Sequence, residues 1–123
     1  MTKTADSKME VRPRLRISSG NEIALGPGKI ELLEALRKAG SITAAARQLG
    51  MSYMRAWTLI RTMNRCFKKP LVVAVRGGSR GGGGAELTDT GLQVLTLYRQ
   101  MNARCVAAMD PDWERLRRLL ARG

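Results

Sequence analysis

The sequence has no histidine and only two cysteines among its 123 residues. The absence of histidine excludes serine–histidine and cysteine–histidine nucleophile systems and histidine metal sites. Cys66 and Cys105 fit no zinc-ligand spacing, so we expect two reduced thiols, no metal and no disulfide. No carboxylate pair stands in a recognisable catalytic context. These absences predict a protein that is not an enzyme and carries no cofactor.

Long apolar segments are also missing. Apolar runs such as Leu71–Val75 are far shorter than the ~20 residues of a membrane span. The N-terminal stretch MTKTADSKMEVRPRLR contains no apolar segment of the kind found in secretory signals. The length suits one domain. We therefore expect a cytoplasmic domain without a membrane partner.

Acidic residues are scarce: 10 Asp and Glu stand against 22 Lys and Arg, which gives a net charge of +12. Residues 29–69 hold most of the excess, and Ser52–Lys68 carries arginine and lysine with no acid at all. A helix of one charge sign repels itself unless a polyanion lies alongside. The pattern favours a phosphate-binding face on nucleic acid, with a merely soluble basic face as the alternative.

The apolar pattern predicts a mainly α, α+β fold. Val11–Ile17 alternates apolar and basic residues, and with Glu22–Leu25 it indicates an N-terminal β-hairpin. Three helices are then predicted, and their limits are marked by caps and glycines. They run from Gly26–Lys29 to Gly40, from Ile42 to Leu49 with Ser41 as N-cap, and from Ser52 as N-cap to about Phe67.

A second hairpin follows, formed by Leu71–Val75 and Ala85–Leu87 around a glycine-rich, basic tip. Thr88 caps a fourth helix, Asp110–Asp112 is expected to break the chain, and Trp113–Ala121 is predicted as a last short helix. This order is that of a winged helix-turn-helix, whose third helix enters the DNA major groove. The predicted organisation is a disordered terminus at 1–10, a winged domain at 11–87 and dimerisation helices at 88–123.

Several motifs carry a family resemblance. They are Ser52-Tyr53-x-x-Ala56-Trp57, Met63-Asn64, and the wing run Gly77–Gly84 with Ala85, followed by Leu87-Thr88 and Gly91. Together they resemble the N-terminal DNA-binding domain of the molybdate-responsive transcriptional regulator (ModE) family over residues 11–109. More distantly, Ala45-Ala46-x-x-Leu49 is similar to the LysR-type helix-turn-helix.

The resemblance implies a bacterial, nucleoid-associated homodimer that binds a palindromic operator in molybdenum-related gene control. The wide apolar surface of Thr88–Met109 favours dimerisation independently. The family's C-terminal oxyanion-binding β-barrels are expected to be missing after Met109. The chain then acts as a DNA-binding module alone, or its effector arrives by another route. A heterodimer with a full-length paralogue is a further alternative.

Candidate contacts with double-stranded DNA divide by chemistry. Base readout is expected from Ser52, Tyr53, Arg55, Thr58 and Thr62. Phosphate contacts are expected from Ser41, Thr43, Arg47, Arg61, Arg65, Lys68 and Lys69. The wing contributes Arg76, Ser79 and Arg80. The dimerisation residues are expected to be Leu92, Leu95, Tyr98, Met101, Cys105, Trp113 and Leu116.

Two alternatives stay open. The wing tip could be a plain disordered loop. A nucleotide-binding loop is disfavoured, because the glycines are followed by the predicted strand Ala85–Leu87 and not by Gly-Lys-Ser/Thr or by a helix. The whole chain could be an architectural or RNA-binding module that reads the phosphate backbone without sequence preference. A strong preference for one duplex would distinguish a sequence-specific regulator from that module.

Overall fold

The structure, a computed structural model, describes residues 9–75 and 84–121. Along the chain, one antiparallel hairpin precedes three helices, a second antiparallel hairpin follows them, and a long helix comes last. The elements are β1 (Ile17–Ser19), β2 (Glu22–Leu25), α1 (Pro27–Ala39), α2 (Ile42–Leu49), α3 (Tyr53–Cys66), β3 (Val72–Val75), β4 (Gly84–Leu87) and α4 (Asp89–Arg117). This order confirms the predicted winged helix-turn-helix with a long C-terminal helix. Residues 1–8 and the wing tip at 76–83 lie outside the described residues.

The chain forms two compact units, residues 14–98 and residues 1–13 with 99–123. The first contains both hairpins, α1 to α3 and the beginning of α4. In the described part of the second unit, α4 continues from Arg99 to Arg117. Arg12 of the same unit forms an ion pair with Glu10.

The core of unit 14–98 is built around α1. Leu32, Leu33 and Leu36 of this helix are completely buried, together with Met63 of α3 and Leu71 before β3. Burial of each such side chain contributes about 1.5–3 kcal/mol. The apolar stripe predicted for α1 is therefore confirmed, and it fixes the helix against which α2 and α3 pack.

Serine caps and left-handed glycines set the helix-turn-helix. The Ser41 and Ser52 hydroxyl oxygens accept hydrogen bonds from the Ala44 and Arg55 N–H groups, each at 3.1 Å. Gly40 ends α1 at φ +79° and Gly50 ends α2 at φ +69°, a region that glycine enters without steric penalty. The predicted caps and ends of α2 are thus confirmed.

The third helix buries one stripe and exposes the opposite face. Ala56, Ile60 and Met63 are buried, and Phe67, directly after the helix, is partly buried against the core. This confirms the predicted core stripe. The side chains on the other face are left to make contacts with solvent or a partner.

The predicted first strand is too long. Only Ile17–Ser19 pairs with β2, with an irregularity between Ile17 and Ser18. The partner strand has four residues, so no ladder is available before Ile17. Leu15 and Ile17 still pack on the core while Arg14 and Arg16 are exposed, so the alternation survives without the strand.

The predicted break at Asp110–Asp112 is wrong. Helix α4 continues through Pro111 to Arg117, and Arg118–Ala121 forms turns and bends and not a helix. A proline removes one N–H donor and crowds the carbonyl four residues earlier. Those effects disturb one turn, and the alanine- and arginine-containing sequence on both sides has good helix propensity.

Candidate nucleic-acid interface

The outer face of α3 is a row of exposed side chains. Of the residues predicted to read bases, those exposed are Ser52, Tyr53, Arg55 and Thr58, and Thr62 is half-buried. Met54 also belongs to this face and is 62% exposed. The helix contains no acidic residue. The face therefore presents cations, hydroxyls and an aromatic ring in a form suited to a duplex.

The two serine caps remain able to donate. Ser41 and Ser52 each use a side-chain oxygen to accept a backbone hydrogen bond, which leaves the hydroxyl proton for an acceptor such as a phosphate oxygen. Ser41 stands at the beginning of α2, where unpaired backbone N–H groups favour an anion. Thr43, in the first turn of the same helix, is exposed.

Arg61 is held on the outer face by an aromatic ring. Its guanidinium carbon lies 4.7 Å from the centre of the Trp57 ring, one helical turn earlier. Such a cation–π contact contributes about 0.5–1 kcal/mol at an exposed site. The contact limits the conformations of a predicted phosphate ligand before any DNA is present.

A cavity of about 460 Å³ lies between the beginning of α2, the outer part of α3 and the two wing strands. Ser41 and Thr43 line this cavity together with Tyr53 and Arg61. The structure thus places together residues that were predicted separately as phosphate and base contacts.

Arg65 points to another partner. Its guanidinium pairs with the Glu22 carboxylate at 2.5 Å, and the Cys66 thiol donates to the second oxygen of Glu22 at 3.4 Å. The hydrogen bond from Arg65 lowers the pKa of Glu22. Burial, and then Glu22 itself, raises the pKa of Cys66. The predicted phosphate ligand Arg65 is therefore occupied in the structure by a carboxylate of β2.

Asn64 ties α3 to the wing. Its side-chain oxygen accepts hydrogen bonds from the Leu71 and Val72 N–H groups at 2.8 and 3.2 Å, and its amide nitrogen donates to the Val72 carbonyl at 3.0 Å. As part of the Met63-Asn64 motif, Asn64 has no role that the sequence predicts. The available signal was the position of this amide, shortly before the end of a helix and the strand that follows. An asparagine side chain there is able to accept from and donate to the backbone of the strand.

A second groove, of about 370 Å³, lies on the other side of α3 and was not predicted. The first turn of α1 and Leu59 form part of it, and its cationic lining consists of Arg14, Arg16, Lys29 and Arg55. From the sequence, Arg14 and Arg16 are predicted only as the basic residues of an alternating strand. Nothing in the local pattern places them beside α3.

The remaining phosphate candidates are more scattered. Arg47, Lys68 and Lys69 are exposed but line neither cavity. The predicted wing residues Arg76, Ser79 and Arg80 lie outside the described residues. The described residues contain no cluster of three or more His, Cys, Asp or Glu that could hold a metal ion.

The predicted dimerisation residues divide into two groups. Leu95 and Tyr98 are buried in the core of their own chain, and the Tyr98 hydroxyl donates to the Leu15 carbonyl at 2.7 Å. Leu92 and Met101 are 42% and 47% exposed. Of the others, Leu116 is exposed, whereas Cys105 and Trp113 are half-buried. Leu97 of α4 is 52% exposed and is not among the predicted residues.

A comparison with known protein families identifies the family of this chain. Residues 28–92 match the bacterial regulatory helix-turn-helix proteins of the lysR family. The chain belongs to this family. The matched segment runs from the first turn of α1 through the wing to the beginning of α4, so it contains the whole helix-turn-helix. The lysR family is a class of regulators and not of enzymes.

Curated proteins are also similar to this chain. The chain is 42% identical to the molybdenum transport protein ModE of Azotobacter vinelandii over 84% of its own length and 38% of the relative's. It is 46% identical to the molybdenum-pterin-binding protein MopA of Rhodobacter capsulatus, over 69% of its own length and 32% of the relative's. It is 36% identical to the DNA-binding transcriptional dual regulator ModE of Escherichia coli, over 73% of its own length and 34% of the relative's. The chain thus spans about a third of the length of these relatives.

The lysR-family chain shows no membrane-spanning element where it is described. None of the helices within residues 9–75 and 84–121 combines the length and apolar character that a bilayer crossing needs.

Proposed function

We propose that the protein is a sequence-specific, DNA-binding transcriptional regulator that acts as a homodimer on a palindromic operator. The observation that carries the proposal is the exposed, acid-free face of α3 in a lysR-family helix-turn-helix. Such a helix fits the major groove, where base edges differ for every base pair. We also propose that the protein acts on chromosomal DNA in the bacterial cytoplasm.

Base readout falls to the first turns of α3. Tyr53, Arg55 and Thr58 are exposed there, and an arginine in this position is able to bind guanine O6 and N7 with two hydrogen bonds. Ser41 and Thr43 at the beginning of α2 supply donors for one phosphate strand, and Arg61 supplies a charge held by Trp57. This division separates groups that choose the sequence from groups that fix the position.

A homodimer is supported by apolar side chains on α4. Leu92, Leu97 and Met101 are each more than two-fifths exposed. Exposed leucines of this kind favour association with a second copy, and a two-fold dimer would place two α3 helices about one DNA turn apart. Sedimentation of the wild-type chain and of a Leu97→Glu variant tests this. A wild-type monomer at micromolar concentration would contradict it.

The regulated genes are proposed to be related to molybdenum. The support is that the similar ModE of Azotobacter vinelandii and MopA of Rhodobacter capsulatus carry molybdenum in their names, and that the similar ModE of Escherichia coli is named a DNA-binding transcriptional dual regulator. The direct test is genomic footprinting in the source bacterium. Binding sites concentrated away from genes of molybdenum uptake and use would contradict this assignment.

The division of contacts is tested with Arg55→Ala and Arg47→Ala on an operator selected from a random duplex pool and on its scrambled form. Fluorescence anisotropy should show that Arg55→Ala weakens the operator more than the scrambled duplex, with about 1–3 kcal/mol of lost discrimination. Arg47→Ala should weaken both by the same factor. Equal loss on both duplexes for both variants would instead support a module that binds the backbone without sequence preference.

A further inference from the structure

The groove lined by Arg14, Arg16, Lys29 and Arg55 collects cations from three elements of the fold. Arg14 and Arg16 precede β1, Lys29 is in the first turn of α1, and Arg55 is in the first turn of α3. The structure assigns this groove as a binding site for the sugar-phosphate strand of DNA on the side of α3 opposite to the wing, with Arg14, Arg16 and Lys29 as the phosphate contacts and Arg55 kept for base readout. The assignment rests on the proposed function.

The four cations are available for a ligand. Among the described residues, none of them forms an ion pair or a side-chain hydrogen bond within the chain. Lys29 lies close enough to Glu22 to affect its pKa, but that carboxylate is already paired with Arg65. No acidic side chain lines the groove. Four unpaired cations around one concave surface repel each other, and a polyanion relieves that repulsion.

Packing places the arginines at the groove without immobilising their charges. A Cβ built on Gly26 would lie 3.6 Å from Cγ of Arg16, so the Arg16 stem crosses the beginning of α1. Leu15, between the two arginines, packs on the core and accepts the hydrogen bond of Tyr98. The backbone of this segment is therefore fixed, while the Arg14 and Arg16 side chains remain exposed.

The geometry of B-form DNA indicates which strand fits. The major groove is about 12 Å wide and a helix with its side chains nearly fills it, so a helix lying there has one phosphate strand on each side. Ser41, Thr43 and the wing strands lie beside one flank of α3, and Arg14, Arg16 and Lys29 lie beside the other. The two flanks correspond to the two strands.

The test uses Arg16→Gln and Lys29→Gln, which remove the charge and keep much of the side-chain stem. The control is Lys38→Gln, which removes the same charge from the other end of α1, outside the groove. Each protein is titrated by fluorescence anisotropy against a mixed-sequence duplex of about 30 base pairs, long enough for two half-sites, at a series of salt concentrations. Circular dichroism verifies that all variants keep the wild-type fold.

The proposal predicts that each groove variant binds about three- to tenfold more weakly and loses about 0.9 from the slope of log affinity against log salt, the value for one phosphate contact. Lys38→Gln should keep the wild-type slope. Unchanged slopes for both groove variants, or an equal loss for Lys38→Gln, would overturn the assignment, while wild-type binding to the duplex would leave the proposed DNA binding intact. A wild-type chain that binds no duplex would overturn both.

Discussion

Asn64 near the end of α3 and Leu71 before β3 are joined by a 2.8 Å hydrogen bond, in which the Leu71 N–H donates to the Asn64 side-chain oxygen. Two further hydrogen bonds connect the same amide to Val72. Leu71 is itself completely buried. One side chain therefore fixes the position of the first wing strand relative to the helix that we propose reads DNA.

Asn64→Ala should lower the free energy of unfolding by about 1–3 kcal/mol, because it removes the side-chain partner of three backbone groups. It should also weaken DNA binding, since the wing strand loses its attachment to α3. Urea unfolding measures the first effect. Asn21→Ala, in the exposed turn between β1 and β2, is the matched control and should change little. Equal stabilities for the two variants would contradict the role assigned to Asn64.

Gly91 is close to the same segment. A Cβ at Gly91 would lie 2.3 Å from the Leu71 carbonyl oxygen, which accepts a hydrogen bond from the Thr88 N–H. Gly91→Ala must displace backbone, so we expect a loss of about 2 kcal/mol in unfolding free energy. Gly28→Ala in α1 meets no atom within 4 Å and should stabilise by about 0.4–1 kcal/mol. Thermal and urea unfolding of both variants check the opposite signs.

The Trp57–Arg61 contact predicts coupled effects on DNA binding. Arg61→Ala should reduce affinity, and Trp57→Ala should reduce it less, because the guanidinium remains but is less ordered. In the Arg61→Ala background, Trp57→Ala should have almost no further effect. A double-mutant cycle of dissociation constants measures this coupling. Strictly additive losses would show that the ring contributes to binding independently of Arg61.

The Glu22–Arg65–Cys66 cluster predicts a pH dependence. The pKa of Glu22 is lowered in the folded protein, so its small stabilising effect is present at neutral pH and is lost as the pH falls through that lowered value. Glu22→Gln should flatten the acidic part of the stability profile, as measured by urea unfolding at several pH values. A profile that falls as steeply in the variant would contradict the assignment.

The same substitution should change the reactivity of Cys66. Glu22 raises the pKa of this thiol, after the larger effect of burial. In a Cys105→Ser background, Glu22→Gln should therefore speed alkylation of Cys66 at neutral pH, because more thiolate is present. At strongly alkaline pH the two rates should converge. A constant ratio of rates at every pH would point to a change in access and not in ionisation.

Local signals predicted much of this fold. Ser41, Ser52, Gly40 and Gly50 mark helix ends through bonds within a few residues, so a sequence pattern suffices to locate α2 and the beginning of α3. The α1 and α3 core stripes follow from helical spacing for the same reason. Pro111 misled the prediction, because a proline's local penalty does not decide whether a long helix continues.

The parts of the candidate interface that depend on tertiary packing could not be predicted. Glu22 and Arg65 are 43 residues apart and meet only because β2 packs against α3. Arg14 and Arg16 come to lie beside Arg55 for a similar reason. Exposure of Tyr53, Arg55 and Thr58, by contrast, follows directly from the buried stripe on the opposite side of the same helix.

The most direct test of the central claim is the ratio of two dissociation constants, for the selected operator and for its scrambled form, measured with the wild-type chain at one salt concentration. An exposed α3 that reads base edges predicts a ratio of about 10³ or more in favour of the operator. A ratio close to one, with tight binding to both duplexes, would contradict sequence readout by α3.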